Sequence, residues 1–231
     1  MRSIRQQARL AGGLYILMLV TGLPGLILIP RRLIVEGDAV LTAEHIRAAE
    51  TLFRIGVASE LFHQVVFLYI ALALYRLFES VHKGLATQLV LLVAISIPIM
   101  FLNVVNHLAT LVLVSPPSFL SGFTKSQLDS LAYFFIRLHG EGIGVVEVFW
   151  GLWLVPFGLL VYRSGFLPKF LGVLLLIAAL GNILRAIVNI FPGASGLDPL
   201  ANVLSLGELP IIVWLVVPGA KEKPAPAPAA A

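Results

Sequence analysis

The chain has no cysteine at all. That excludes disulfides, thiolate metal sites and a cysteine nucleophile, and it leaves the redox compartment open. Charge is scarce as well: Asp, Glu, Lys and Arg make up 12% of 231 residues, where a soluble domain carries about 25%. No basic stripe interleaved with aromatic platforms occurs, so the net charge of +4 does not point to a nucleic-acid partner. No convincing internal repeat is visible, which weighs against a transporter built from inverted halves. The apolar run at the N-terminus lacks a small-residue cleavage site and reads as an uncleaved span, not a signal peptide. GEGIG at 140–144 has no strand before it and is no nucleotide fingerprint.

What the chain does have is hydrophobic length. Apolar residues make up 59%, and the mean hydropathy is +0.98. At about 20 to 25 residues per span, 231 residues hold six or seven membrane helices and no separate soluble domain. The expected fold is all-α, a polytopic membrane bundle of six transmembrane helices over residues 1–218, with a disordered, low-complexity cytoplasmic tail at 219–231.

Taken in order, the first span covers 10–29 and should bend at Pro24, beside Gly22 and Gly25. Thr42 is the expected N-cap of a second helix over 42–77, with a Glu50–Arg54 pair at i, i+4. Arg76, Glu79, His82 and Lys83 form a short turn before a third span at 85–114. Thr124 and Gln127 have capping-box spacing for a fourth helix that runs to 162, ended by the RSGFLP turn. A fifth span at 169–191 and a sixth at 200–217 follow.

Counting Lys and Arg by side gives nine against two acids on one face (Arg2, Arg5, Arg9, Arg76, Lys83, Arg163, Lys169, Lys221, Lys223) and five against six acids on the other. The basic excess belongs on the cytoplasmic side, so both termini are expected there.

Ionisable side chains are expensive in hydrocarbon, so those inside the spans are the functional-site candidates. Glu60, His63, Asn103, His107, His139, Glu147, Arg185 and Glu208 come from five helices. At about 1.5 Å per residue, Glu60, Glu147 and Arg185 stand roughly 24 Å above the inner basic residues, and His63 and Glu208 roughly 20 Å. Asn103 and His107 stand somewhat higher, and His139 and Glu141 approach the outer boundary. Glu60 and His63 share one helical stripe with Phe53, Gly56 and Phe67. The expectation is a polar pocket built by helices two to six and open to the outside.

Four segments carry a resemblance: YRSGFLPKFLGVLLLIAALG (162–181), ARLAGGLYILMLVTG (8–22), RRLIVEGDA (31–39) and RLHGEG (137–142). They resemble a bacterial multi-pass family catalogued as domain of unknown function 4386. The resemblance covers most of the chain except the tail, and RSGFLP is its most specific part. It implies a six-helix integral-membrane domain of a bacterial cytoplasmic membrane with no assigned activity, and of the polar residues it carries over only His139.

Three chemistries suit the polar set, and none names a cofactor. Arg185 has a planar fork for a carboxylate or phosphate, so a small anionic molecule or lipid headgroup is the favoured ligand, held by Arg185, Glu147, Glu208 and His139. His63, His107 and His139, on three helices, are candidate metal ligands for a zinc enzyme with an open fourth position. Glu147 and Glu208 suit proton-coupled transport. Against these stand plainer roles: hydrogen-bonded histidines, interhelical amide contacts, and an Arg185 ion pair with Glu147 or Glu208 serving as a clamp.

Overall fold

The structure is a computed structural model and describes residues 3–221. The tail expected at 219–231 falls mostly outside the described residues, as do Arg2, Glu222 and Lys223 of the charge count. Among the described residues all regular structure is helical, and five helical stretches are long and apolar enough to cross a membrane.

The first, α1 (Ile4–Leu23), opens with a capping box in which Ser3 and Gln6 exchange side-chain and backbone hydrogen bonds. At Pro24 the chain does not simply kink. It widens into a π-helical turn (Pro24–Leu28), in which the Ile29 N–H reaches back five residues to the Pro24 carbonyl, before α2 (Ile29–Leu33). Such turns cluster at functional sites, and this one presses Gly25 against the Glu60 side chain.

A short helix, α3 (Ala39–Ala48), precedes the second span, and its cap is Asp38, not Thr42. The Asp38 carboxylate accepts the Leu41 N–H at 2.9 Å, while the Thr42 hydroxyl accepts the Val35 N–H at 2.9 Å and so ties the loop to the helix. Two cations, Arg47 and Lys125, meet on buried Asp129, and Arg47 also donates from Nε to the Val114 carbonyl at 2.9 Å. This network holds α3 across the ends of its neighbours.

Next comes α4 (Glu50–Val114), 65 residues interrupted at one point, His82, whose backbone is extended (φ −161°, ψ 97°). A straight helix of that length would span about 98 Å. Instead, the Ser115 hydroxyl just past its end donates to Glu50 Oε2 at its start, at 2.9 Å. The element is therefore a hairpin with limbs at 50–81 and 83–114, turned where the short polar turn was expected. The Glu50–Arg54 pair is present at 2.8 Å.

The helix starting at Lys125 has the expected capping box from Thr124 and Gln127. It is two helices, α5 (Lys125–Leu152) and α6 (Leu154–Ser164), joined through Trp153. Gly165 ends α6 in the left-handed region at φ 71°, where only glycine is free of strain, and Ser164 Oγ accepts the Leu167 N–H. After α7 (Lys169–Ile190), the expected sixth span at 200–217 is interrupted. A 3-10 turn (Pro192–Leu197) leads into α8 (Asp198–Ser205), a second 3-10 turn (Leu206–Glu208) and α9 (Leu209–Val216).

Two apolar clusters form the core. One centres on an aromatic run in which Trp153 stacks on Tyr15 and Phe157 and meets Phe67 edge-on, continuing through Phe78 to Phe166. The other joins α2, α3, both ends of α4 and the start of α5 around Ile46, Phe53, Val104 and Leu128. Along the first limb of α4, Glu60 falls between Val57 of the second cluster and Val66 of the first.

Candidate functional site

The eight polar residues do not share one void; they divide into groups. Glu60, on the first limb of α4, is the centre of the principal group. Its Oε2 lies 2.9 Å from His139 Nε2 on α5, and its Oε1 lies 3.4 Å from His107 Nδ1 on the second limb. The two imidazoles stack at 3.6 Å between centroids, 20° from parallel. All three side chains are buried, and one ligand atom from each lies within 4.8 Å of the other two. The edge of Phe53 closes on the His107 ring at 5.1 Å. His107 Nδ1 is buried, and its 3.4 Å approach to Glu60 Oε1 falls short of a well-formed hydrogen bond.

Glycine and asparagine bring α5 to α4 here. Asn103 donates from its amide to the His139 carbonyl at 2.9 Å and accepts from Asn106 at 3.0 Å. Its amide lies against Gly142, in space that any side chain at 142 would fill. The GEGIG segment thus works through Gly142, and through Gly144, which faces Asn189; Gly140 meets nothing.

His63 is not part of this group. The helical stripe it shares with Glu60 is wide enough to face two neighbours, and His63 turns to α1, where its Nδ1 meets the Met18 carbonyl at 2.9 Å beside Gly22. The three-histidine metal site is therefore not assembled; Glu60 stands where His63 was expected.

Arg185 and Glu147 form a second group. Arg185 Nε lies 2.9 Å from Glu147 Oε1, and the other carboxylate oxygen accepts from Asn189 at 2.9 Å. The rest of the guanidinium is occupied too, donating to Asn182 at 2.5 Å, Ser205 at 3.2 Å and Asn202 at 3.3 Å. The guanidinium is thus engaged at all three nitrogens, the clamp-like arrangement that the sequence also allowed. Glu208 goes elsewhere again: its Oε1 accepts the Tyr15 hydroxyl at 2.9 Å, fastening the break before α9 to α1.

Beside the first group lies a cavity of about 640 Å³. Glu60, His107 and His139 are its buried polar wall; Arg31, Glu36, Arg137 and Glu141 are exposed and Asp198 half-buried around its opening. Gly25 and Leu26 of the π-helical turn line it, so helix one contributes, while Glu147, Arg185 and Glu208 do not. Asn189 lines it and also holds Glu147, and so links the two groups. Tyr133, another lining residue, accepts the Gly37 N–H at 2.8 Å. Arg31, Glu36, Tyr133 and Asp198 escape sequence reasoning because charged and phenolic residues at span ends look like ordinary interfacial ones.

The described residues thus form an all-helical protein whose helices are long and apolar enough to cross a membrane, with a buried cluster of ionisable side chains between them. The chain belongs to the family described as Domain of unknown function (DUF4386), whose model matches residues 10–219. A protein of Archaeoglobus fulgidus described as "Uncharacterized protein" is 36% identical over 74 residues, 32% of this chain and 44% of that protein. The match thus spans under half the length of that relative. No solved structure matches.

Proposed function

We propose that this protein crosses a bacterial cytoplasmic membrane six times, with both termini cytoplasmic, and that its cavity is an outward-facing chamber for a small molecule or lipid headgroup. Support for the count comes from the α4 hairpin, which turns five apolar stretches into six crossings. Support for the orientation is the basic excess of nine against five. The observation that carries the ligand class is the opening itself. Arg31 and Arg137 stand there with Glu36, Glu141 and Asp198, so charges of both signs are offered. An anionic group docks at the arginines while a cationic group on the same ligand faces the carboxylates, which makes a zwitterion the best match.

The absence of cysteine makes the test clean. Glu141→Cys should react with a membrane-impermeant maleimide in intact cells, and Lys221→Cys only after permeabilisation; the reverse pattern would overturn the orientation. Native mass spectrometry then tests the ligand class. The purified protein should retain phosphatidylethanolamine over phosphatidylglycerol, and the preference should vanish in Arg137→Gln/Glu141→Gln. Equal retention of both lipids by the unaltered protein counts against the zwitterion.

A further inference from the structure

We infer that Glu60, His107 and His139 bind a divalent first-row transition ion of the zinc class at the wall of the cavity. The inference rests on the cavity as the working site only for the ion's route of entry.

The donor set is two imidazole nitrogens and a carboxylate oxygen, a combination that zinc and its first-row neighbours accept and that catalytic zinc sites use with a fourth position left for water or substrate. With bonds of about 2.0 to 2.2 Å, neighbouring ligand atoms on a tetrahedral ion stand roughly 3.3 to 3.6 Å apart. The 3.4 Å between Glu60 Oε1 and His107 Nδ1 falls in that range, while the 2.9 Å between Glu60 Oε2 and His139 Nε2 is a hydrogen-bond distance that must open slightly. One ligand atom from each residue lies within 4.8 Å of the others, so the three can close on an ion by small side-chain rotations.

A pure hydrogen-bond network is the competing account, and it leaves two features unexplained. His107 Nδ1 is buried and makes no aligned hydrogen bond, only a 3.4 Å approach to Glu60 Oε1, so the nitrogen is poorly satisfied in an apolar interior. The two imidazoles are also stacked at 3.6 Å between centroids with one nitrogen of each turned to the same carboxylate, so the two nitrogens converge on one point, which a hydrogen-bond network does not require and a shared ion does. An ion between the two nitrogens and the carboxylate gives each of them a partner. Burial of all three donors keeps water from competing, and the cavity leaves one side of the ion open to a ligand.

The probes are the metals themselves. Protein purified without chelator from cells grown with added zinc, iron and manganese should carry one transition ion per chain. Glu60→Gln, His107→Gln and His139→Gln should each lose it, while His63→Gln and Glu208→Gln keep it. Gel filtration and thermal melting show which variants remain folded. For any variant that does not, cobalt(II) added to chelator-stripped unaltered protein gives a second readout, a saturable visible spectrum of a low-symmetry N2O site. Folded protein with no stoichiometric metal and no cobalt spectrum overturns the inference, and so does metal undiminished in the three variants. Either result leaves the labelling of Glu141→Cys from outside unaffected, so failure here is distinguishable from failure of the chamber.

Discussion

The region around Trp153 and the region around Glu60 share the α4 hairpin, the first completing it with α1, α6, α7 and α9 and the second with α5 and the π-helical turn, yet they hold together by different means. Around Trp153, buried aromatic rings and aliphatic chains interlock, with the Tyr15 hydroxyl carried off to Glu208, and in a bilayer such helices come together by shape, since lipid tails are as apolar as leucine and give no hydrophobic drive between helices. Around Glu60, closeness is fixed by particular atoms: one amide on one carbonyl, one carboxylate between two rings. Both regions need close backbones, at Gly158 and Gly172 in the first and at Gly25 and Gly142 in the second; the first should tolerate changes of side chain and the second should not.

The largest expected effect tests spacing. Gly158 on α6 and Gly172 on α7 face each other so closely that a Cβ on Gly172 would lie 2.6 Å from the Gly158 carbonyl oxygen and 2.8 Å from the Tyr162 nitrogen. Both obstacles are backbone and cannot swing away. Gly172→Val should abolish a monodisperse folded protein in gel filtration, whereas Leu175→Met, a volume-conserving swap in the same core, should cost under about 1.5 kcal/mol. Equal tolerance of both would show that α6 and α7 can slide apart.

Next in size is Arg185→Leu, which tests dependence on particular atoms. It strands the Glu147 carboxylate, whose side chain is 9% exposed, and removing one partner from a buried pair costs about 3 to 5 kcal/mol. Because Arg185 is itself 32% exposed, the lower end, about 3 kcal/mol, is expected. Arg185→Leu/Glu147→Leu should recover most of the lost melting temperature. No recovery would mean that Asn182, Asn202 and Ser205, and not the ion pair, make Arg185 necessary.

Several features of this division are legible in the sequence. The Thr124–Gln127 box, the RSGFLP turn, the polar turn near His82 and an Arg185 ion pair with Glu147 or Glu208 follow from spacing and residue type, and packing decides for Glu147. The grouping of the site does not, for two reasons. Helical periodicity fixes direction only to about 60° between Glu60 and His63 on an ideal helix, and that angle separates a neighbour on α5 from one on α1. Height counting fails as well: it sets His139 well above Glu60, though their side chains meet at 2.9 Å. The count runs from Arg163 through the junction at Trp153 as if 139–163 were one straight helix, and it takes Arg76 and Arg163 as level. The sixth span was expected to be continuous because apolar composition dominates 200–217, while the interruption lies in Ser205–Leu206–Gly207–Glu208, where backbone geometry is decided by packing against α7 and by Tyr15.

The smallest effects concern residues that belong fully to neither region. Gln64 is wholly buried on α4, one residue beyond His63, and neither atom of its amide has a protein partner. An unsatisfied buried amide costs about 1 to 3 kcal/mol, and replacing it by an apolar group of similar shape recovers part of that. Gln64→Leu should therefore raise the melting temperature slightly, an unusual sign for a buried polar residue. A fall would mean that a bound water or ligand serves the amide and that the polar region reaches further toward Trp153 than its protein contacts indicate. Arg137→Gln probes the opposite margin. Its distance to Glu141 is 4.0 Å with both side chains 61% exposed, and exposed pairs of this kind contribute little, so thermal melting should not move while lipid retention does. A melting shift would assign Arg137 to the framework and not to the opening.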